Sequence, residues 1–159
     1  EQEKAAEKPR TLLVQPDLNG EFHLLPETVQ LHGESLKIGV EKGERVISGW
    51  ASPDDWVSWE LQVAHADLFQ IQVSYLAAGE GIRARVFIQV GEEEKSVDLL
   101  STDRDGKIRT DRLFLAIKKR GKRTVRLRLE PTDRTQSAEN PIHIQQVRFV
   151  PYGLGNKKQ

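Results

Sequence analysis

The sequence of 159 residues contains no cysteine and no methionine. The absence of cysteine excludes disulfide bonds, thiolate metal sites and a cysteine nucleophile. It does not fix the compartment, because a domain of this length can bury a core without disulfides. Methionine is missing even at position 1, so we expect the chain to be a processed or excised piece of a longer protein.

Long apolar runs and an excess of charge of either sign are also absent. No stretch approaches the ~18 apolar residues that a membrane-spanning helix needs, and residues 1–10 lack the apolar centre of a signal peptide. A secretory signal could still have been removed before Glu1. Lys plus Arg and Asp plus Glu each number 24, so the formal net charge is zero. Because nucleic-acid-binding domains are usually basic, we expect no nucleic-acid partner. Because no apolar run is long enough, we also expect no transmembrane segment.

Apolar residues recur with a period of two through most of the chain, as they do in β-strands that bury one face. In the segment 56–63, one face carries Val57, Trp59, Leu61 and Val63. The segments 69–75, 82–90 and 125–129 alternate in the same way, and shorter candidate strands are 28–32, 35–40, 46–50, 96–100 and 113–117. No segment shows the 3.6-residue period of a long helix, which excludes a parallel α/β fold.

Regular short strands separated by Gly- and Asp-containing turns predict an all-β fold, an antiparallel two-sheet β-sandwich. We expect the sandwich to span residues 21–152. Residues 1–20 would form a flexible N-terminal tail or linker, and residues 153–159 a C-terminal tail. Within the N-terminal part, residues 1–8 could instead form a short frayed helix, and residues 11–14 could pair as an edge strand.

The last strand changes phase partway along its length. Ile142 and Ile144 share one face, whereas Val147 has the opposite parity. One extra residue, Gln145 or Gln146, would return the following residues to the interior. We therefore predict a β-bulge at that point.

The stretch 49–63 reads GWASPDDWVSWELQV and resembles carbohydrate-binding-module-like jelly rolls of the galactose-binding-like superfamily. In those domains a glycine, an aromatic residue, a Pro-x-Asp turn and further aromatic residues often precede an alternating strand. The elements 31–33, 68–76, 117–129 and 142–151 match in the same order, so the resemblance covers roughly residues 28–151. It implies a jelly-roll fold and a non-catalytic module of an extracellular or periplasmic bacterial protein, because such modules are commonly appended to secreted glycosidases and sulfatases.

Three tryptophans lie within ten residues of one another, and two carboxylates lie among them. A flat indole can cover the apolar face of a sugar while nearby carboxylates bind its hydroxyl groups. Parity places Trp59 in the core. Trp50 and Trp56 remain candidate ligand contacts beside Asp54 and Asp55, although a structural role is open for each of them.

The resemblance supplies one more candidate ligand contact. Many sugar-binding members have an asparagine at the start of the closing strand, and His143 stands at the matching position. An imidazole can also form a hydrogen bond with a hydroxyl group. We therefore predict a site for a polysaccharide or another glycan that is formed by Trp50, Asp54, Asp55, Trp56 and His143.

Catalytic groups are not recognisable in this chain. The paired carboxylates of a glycosidase lie ~5–10 Å apart across the scissile bond, whereas Asp54 and Asp55 are neighbours on a turn and should diverge. The four histidines do not pair at metal-binding spacing, and neither a nucleophile elbow nor a phosphate-binding loop is present. We expect no cofactor, with a structural calcium ion near Glu27 and Glu34 as the alternative.

Positive charge is concentrated between Thr102 and Arg128. This segment contains eleven Lys and Arg residues but only three Asp and Glu residues. Such a patch could bind a sulfated or uronic polysaccharide or an anionic membrane. Alternatively, the charges protect sheet edges against aggregation. A structural or protein-interaction sandwich with no sugar site is the second functional interpretation.

Overall fold

The computed structural model describes residues 13–41, 43–50, 54–77, 82–102, 107–131 and 142–152. These ranges contain twelve strands, one short 3-10 helix (Pro26–Thr28) and no α-helix. The strands are β1 Leu13–Val14, β2 Phe22–Leu24, β3 Gln30–His32, β4 Lys37–Glu41, β5 Glu44–Ser48, β6 Trp56–Val63, β7 Asp67–Ala77, β8 Ile82–Val90, β9 Glu93–Leu100, β10 Arg109–Ile117, β11 Gly121–Pro131 and β12 Ile142–Pro151.

The strands form two sheets with six strands each. The first sheet has the order β1-β6-β11-β8-β9, and β3 also pairs with β6. The second sheet has the order β10-β7-β12-β5-β4, and β2 also pairs with β12. Among these pairings only β1 with β6 is parallel. The prediction of an antiparallel jelly-roll sandwich is confirmed, with this one exception in strand direction.

One face of each long strand points into the space between the sheets, as the period of two predicts. On β6, Val57, Trp59, Leu61 and Val63 are at most 2% exposed. Alternate apolar residues of β7, β8, β11 and β12 join them in one continuous core. The inward faces predicted from the sequence are therefore confirmed.

The predicted β-bulge of the closing strand is confirmed at Gln145. Ile144 pairs with Tyr75 and Gln146 pairs with Ser74, so Gln145 is the extra residue on β12. As a result Val147 and Phe149 point inward with Ile142 and Ile144, and all four are fully buried.

Some short elements differ from the sequence prediction. The segment 28–32 begins with a helical turn, because Pro26 is favoured in the first turn of a helix. The sequence pattern did not predict β2, because a strand of three residues is too short to show a clear alternation of apolar and polar side chains. β9 begins at Glu93 rather than at residue 96, because it is an edge strand whose first residues are polar and are held by pairing with β8.

A polar link joins the two sheets beside β7. The Tyr75 hydroxyl donates a hydrogen bond to Asp111 and accepts one from the Leu100 amide at 2.8 Å. Burial raises the pKa of Tyr75, so its phenol stays neutral. Leu100 belongs to the first sheet, whereas Tyr75 and Asp111 belong to the second. Their hydrogen bonds therefore fix one end of the sandwich.

Trp59 provides the sharpest test of this packing. Its ring is 1% exposed, and its Nε1 donates a hydrogen bond to the Leu25 carbonyl at 3.0 Å. We expect Trp59→Ala to lower the free energy of unfolding by ~3–5 kcal/mol, and Trp59→Phe to lower it by less because an aromatic ring still fills the site. Urea denaturation of the two variants measures both effects. Stability of the alanine variant close to that of the parent protein would show that Trp59 does not lie in the core.

Candidate functional site

Gly49 begins the stretch that resembles carbohydrate-binding modules, and it has a structural role. Its φ of +82° is a left-handed conformation that favours glycine. The Ser35 carbonyl oxygen occupies the position that a Cβ on residue 49 would need. The Ser35 hydroxyl donates a hydrogen bond back to the Gly49 carbonyl at 2.7 Å. The segment before β4 is thereby held against the segment after β5.

Trp50 lies in the core. Its side chain is 4% exposed, and its Nε1 donates a hydrogen bond to the Ile47 carbonyl at 3.1 Å. A sugar can stack only on a ring face that solvent can reach. The burial of this ring gives Trp50 a structural role, and its contact with a ligand stays a prediction.

The two carboxylates of the predicted site have different environments. Asp55 is 7% exposed, and its carboxylate lies where a Cβ on Gly33 would stand. This close fit gives Asp55 a structural role, and its contact with a ligand stays a prediction. Asp54 lies exposed in the turn that leads into β6.

Trp56 is the tryptophan that reaches the surface, on the outer side of the first sheet. Its ring is stacked on His32 with a centroid separation of 3.7 Å and an interplanar angle of 10°. The guanidinium carbon of Arg126 lies 4.4 Å from the ring centroid. β3 and β11 flank β6 on opposite sides, so the two neighbours approach from opposite sides. The His32 Nε2 also lies 3.1 Å from the Ser58 hydroxyl.

A second arginine–aromatic contact lies next to the first. The guanidinium carbon of Arg128 is 4.1 Å from the centroid of Phe87. The strand register places Trp56, Arg128 and Phe87 in one row across β6, β11 and β8. We call this surface the aromatic–arginine face, and it consists of Trp56, Phe87, Arg126 and Arg128 with the neighbouring His32, Ser58, Glu60, Gln89 and Thr124.

The charges on this face are only partly balanced. Arg128 lies 2.7 Å from Glu130 and 3.7 Å from Glu94. Within the described residues, no carboxylate lies within ion-pair distance of Arg126. Burial, and secondarily the charge of Arg126, lower the pKa of His32, so its ring is neutral at pH 7. Arg126 is therefore held by a ring contact with its charge open to solvent.

His143 does not join this face. It lies on the outer side of the second sheet, across the sandwich from Trp56, and its side chain is 22% exposed. Its Nε2 is 4.0 Å from a Glu41 oxygen, and its buried Nδ1 has no hydrogen-bond partner among the described residues. The five predicted site residues are thus divided between the core, the two outer faces and one turn.

The basic run in the sequence is likewise divided among three surfaces. Arg126 and Arg128 lie on the first sheet, and Arg112 lies on the second. At the turn between β10 and β11, Lys118 is 3.0 Å from Glu93, and Arg123 donates hydrogen bonds to carbonyls of the turn itself. This leaves Lys119, Arg120 and Lys122 as the exposed cations of the turn for which the described residues offer no ion pair.

A pocket with a volume of about 340 Å³ lies beside this turn. Its lining includes Glu92 and Glu93 together with Lys118, Lys119 and Arg123. Two acidic and three basic side chains therefore line the pocket, and Lys118 and Glu93 already pair with each other at 3.0 Å.

Among the described residues, the group of three acidic or imidazole side chains close enough to share an ion is Asp17, Glu21 and His23, and it includes neither Glu27 nor Glu34. Those groups already have partners. His23 lies 2.9 Å from Asp17 and lowers the pKa of Asp17 to about 2, while Arg148 lies 2.7 Å from Glu21. Calcium binding therefore stays a prediction.

Several residues of the aromatic–arginine face were not among the predicted site residues. His32 and Phe87 lie far in sequence from each other and from the two arginines, Arg126 and Arg128. Alternation shows only that Phe87 and the two arginines point outward. Their proximity depends on the strand register, which places β11 between β6 and β8. Alternation within a single strand cannot provide that register.

No protein-family model matches the chain, and no curated protein matches it in sequence. Solved structures do match it in fold. A family 35 carbohydrate-binding module from Clostridium thermocellum aligns with a TM-score of 0.66 and 10% identity, over 82% of this chain and 98% of that one. The C-terminal family 6 module of a laminarinase from Zobellia galactanivorans aligns with a TM-score of 0.64 and 12% identity, over 82% and 98%.

The same fold also occurs in a protein of another kind. The mosquito-larvicidal Cry4Aa toxin from Bacillus thuringiensis aligns with a TM-score of 0.64 and 11% identity, over 91% of this chain and 25% of the toxin. The chain therefore has the jelly-roll fold of carbohydrate-binding modules. At these identities the likeness concerns the fold, and a fold alone does not determine function.

The described part of the chain also contains no helix with the length and apolarity that spanning a bilayer requires.

Two glycines allow the structural role of the Gly49 segment to be tested. Gly49 and Gly43 have nearly the same φ, +82° and +80°, but a Cβ on residue 43 would meet nothing within 4 Å. Gly43→Ala should cost ~1–2 kcal/mol from the backbone conformation alone. Gly49→Ala should cost clearly more, because the new Cβ also collides with the Ser35 carbonyl. Equal losses in urea denaturation would contradict the described packing.

Proposed function

We propose that this domain binds glycans through the aromatic–arginine face, as a carbohydrate-binding-like accessory module of an exported bacterial protein. One observation carries the proposal. Trp56 is the tryptophan that the fold places on the surface, and it stands in a row with a second aromatic ring among side chains that can form hydrogen bonds. The jelly-roll fold shared with carbohydrate-binding modules supports this assignment.

The chemistry of the face suits a sugar chain. Neighbouring strands are about 5 Å apart, so Trp56 and Phe87, two strands apart, are separated by about 10 Å along the row. Aromatic rings with this spacing can contact the apolar faces of separate sugar units. Gln89 and Thr124 offer polar atoms on the same side of the sheet, where hydroxyl groups of the ligand would lie.

The two arginines favour a glycan with carboxylate or sulfate groups. A guanidinium that already lies against an aromatic ring loses little conformational freedom when it binds an anion. Arg126 is exposed and has no carboxylate partner among the described residues. It can therefore present its N–H groups to an acidic sugar, or move aside so that a neutral sugar contacts Trp56.

Binding without catalysis is part of the same proposal. Glycoside hydrolysis needs two carboxyl groups that face each other across the bond. On this face, the Glu60 carboxylate accepts hydrogen bonds of 3.0 and 2.9 Å from the Thr124 hydroxyl. The other acidic groups near the face, Glu94 and Glu130, lie beside Arg128. These contacts give the carboxylates structural partners within the sheet.

A second candidate function is a structural or protein-interaction module with no sugar site. The observation that favours it is the covering of Trp56, whose ring is approached by His32 on one side and Arg126 on the other. The stack would then stabilise the sheet and have no ligand. The occurrence of this fold in a toxin shows that the architecture is not restricted to carbohydrate-binding modules.

A glycan array with neutral, uronic and sulfated polysaccharides separates the two candidates. We expect binding that Trp56→Ala abolishes, with a preference for acidic glycans that weakens as salt is raised. Phe114→Ala is the matched control, since Phe114 is a 42% exposed aromatic residue on the outer face of the other sheet. Its binding should equal that of the parent protein.

Two outcomes would contradict the assignment of the face. Loss of binding in Phe114→Ala but not in Trp56→Ala would place the ligand on the other sheet. If binding is lost only when Lys119, Arg120 and Lys122 are replaced by Glu, the ligand is bound at the basic turn. An array on which the folded protein binds no glycan would favour the structural module.

A further inference from the structure

β4 is the free edge of the second sheet. It pairs with β5 on one side, and the described residues provide no strand on its other side. Two of its apolar side chains are exposed to solvent, Ile38 at 39% and Val40 at 67%. An edge strand with exposed β-branched residues can pair with a strand from another chain.

The charges at the two ends of β4 are opposite in sign. Lys37 and Glu41 are both exposed and lie on the same side of the strand, with Gly39 midway between them. Glu41 stands directly opposite Glu44 on β5, a like-charge pair that weakens a sheet. Within the described residues, no Lys or Arg lies within ion-pair distance of either glutamate.

His143 does not neutralise Glu41 at neutral pH. Its Nε2 is 4.0 Å from the Glu41 carboxylate, but burial, its largest influence, lowers the pKa of His143. The imidazole is therefore uncharged at pH 7. Among the described residues Glu41 therefore has no cationic partner at pH 7, and a lysine of a second copy can supply one.

The sequence of β4 is complementary to itself when it is read in the antiparallel direction. If Gly39 faces Gly39 of a second copy, Lys37 faces Glu41 and Ile38 faces Val40. Twofold symmetry produces each of these pairs twice. Opposite charges and β-branched pairs are the cross-strand combinations that stabilise antiparallel sheets.

We propose that two copies of this chain associate through antiparallel pairing of their β4 strands, centred on Gly39. The pairing continues the second sheet across both molecules and gives each Glu41 a lysine partner. Lys37 could instead block edge pairing, as lysine does on many edge strands. Here it faces a carboxylate rather than a second lysine, so it specifies the antiparallel register. A strand of five residues gives a small interface, and the dimer should be weak.

Sedimentation velocity at micromolar to millimolar concentrations tests the proposal. The parent protein should shift from monomer to dimer as its concentration rises. Lys37→Glu and Glu41→Lys each create two like-charge pairs by symmetry and should raise the dissociation constant about tenfold. The variant with both substitutions again has opposite charges in every pair. Its dissociation constant should be close to that of the parent protein.

Lys95→Glu is the matched control, because it makes the same change of charge at an exposed position on β9, the edge of the first sheet. It should leave dimerisation unchanged, and thermal melting checks that every variant is folded. A parent protein that stays monomeric at millimolar concentration would overturn the proposal. So would a dimer that the single charge reversals leave intact or that the double exchange fails to restore, since those results would indicate another surface or a parallel register.

Discussion

The position of Trp59 inside the sandwich determines which side chains of β6 reach the surface. Its indole fills the core and donates a hydrogen bond to the Leu25 carbonyl at 3.0 Å, so the strand cannot rotate or slip by one residue without exposing that ring. Successive side chains of a strand point to opposite faces. Trp56, Ser58 and Glu60 must therefore lie on the outside. The aromatic–arginine face follows from the same packing that stabilises the domain.

The stretch from Gly49 to Trp59 specifies the fold more than it specifies a ligand. Gly49 allows a close approach to Ser35, Trp50 fills the core, and Asp55 packs against Gly33. Each of these contacts positions the loops around the start of β6. The stretch can therefore resemble sugar-binding jelly rolls for structural reasons. Among its described side chains, those that solvent reaches are Asp54 and Trp56.

The sequence predicted the fold well because alternation is a local signal that directly reports burial. It placed Trp59 and Val57 in the core, and the change of phase after Ile144 located the bulge at Gln145 or Gln146. The strand register assigns it to Gln145. The candidate site was harder to predict for two physical reasons. Trp50 and Asp55 lie outside regular strands, where parity gives no information about burial. Arg126 reaches Trp56 only because β11 pairs with β6, and that register is a property of the whole sheet.

In the proposed site Trp56 is the tryptophan that contacts the ligand, whereas Trp50 and Trp59 belong to the core. The three indole N–H signals in a ¹H–¹⁵N spectrum report on the three side chains separately. During titration with heparin-derived and neutral gluco-oligosaccharides, we expect the Trp56 signal to shift with a bound sugar. The Trp50 and Trp59 signals should stay in place, because both indoles are buried and donate to backbone carbonyls. A bound oligosaccharide that shifts Trp50 or Trp59 and leaves Trp56 unchanged would contradict the account.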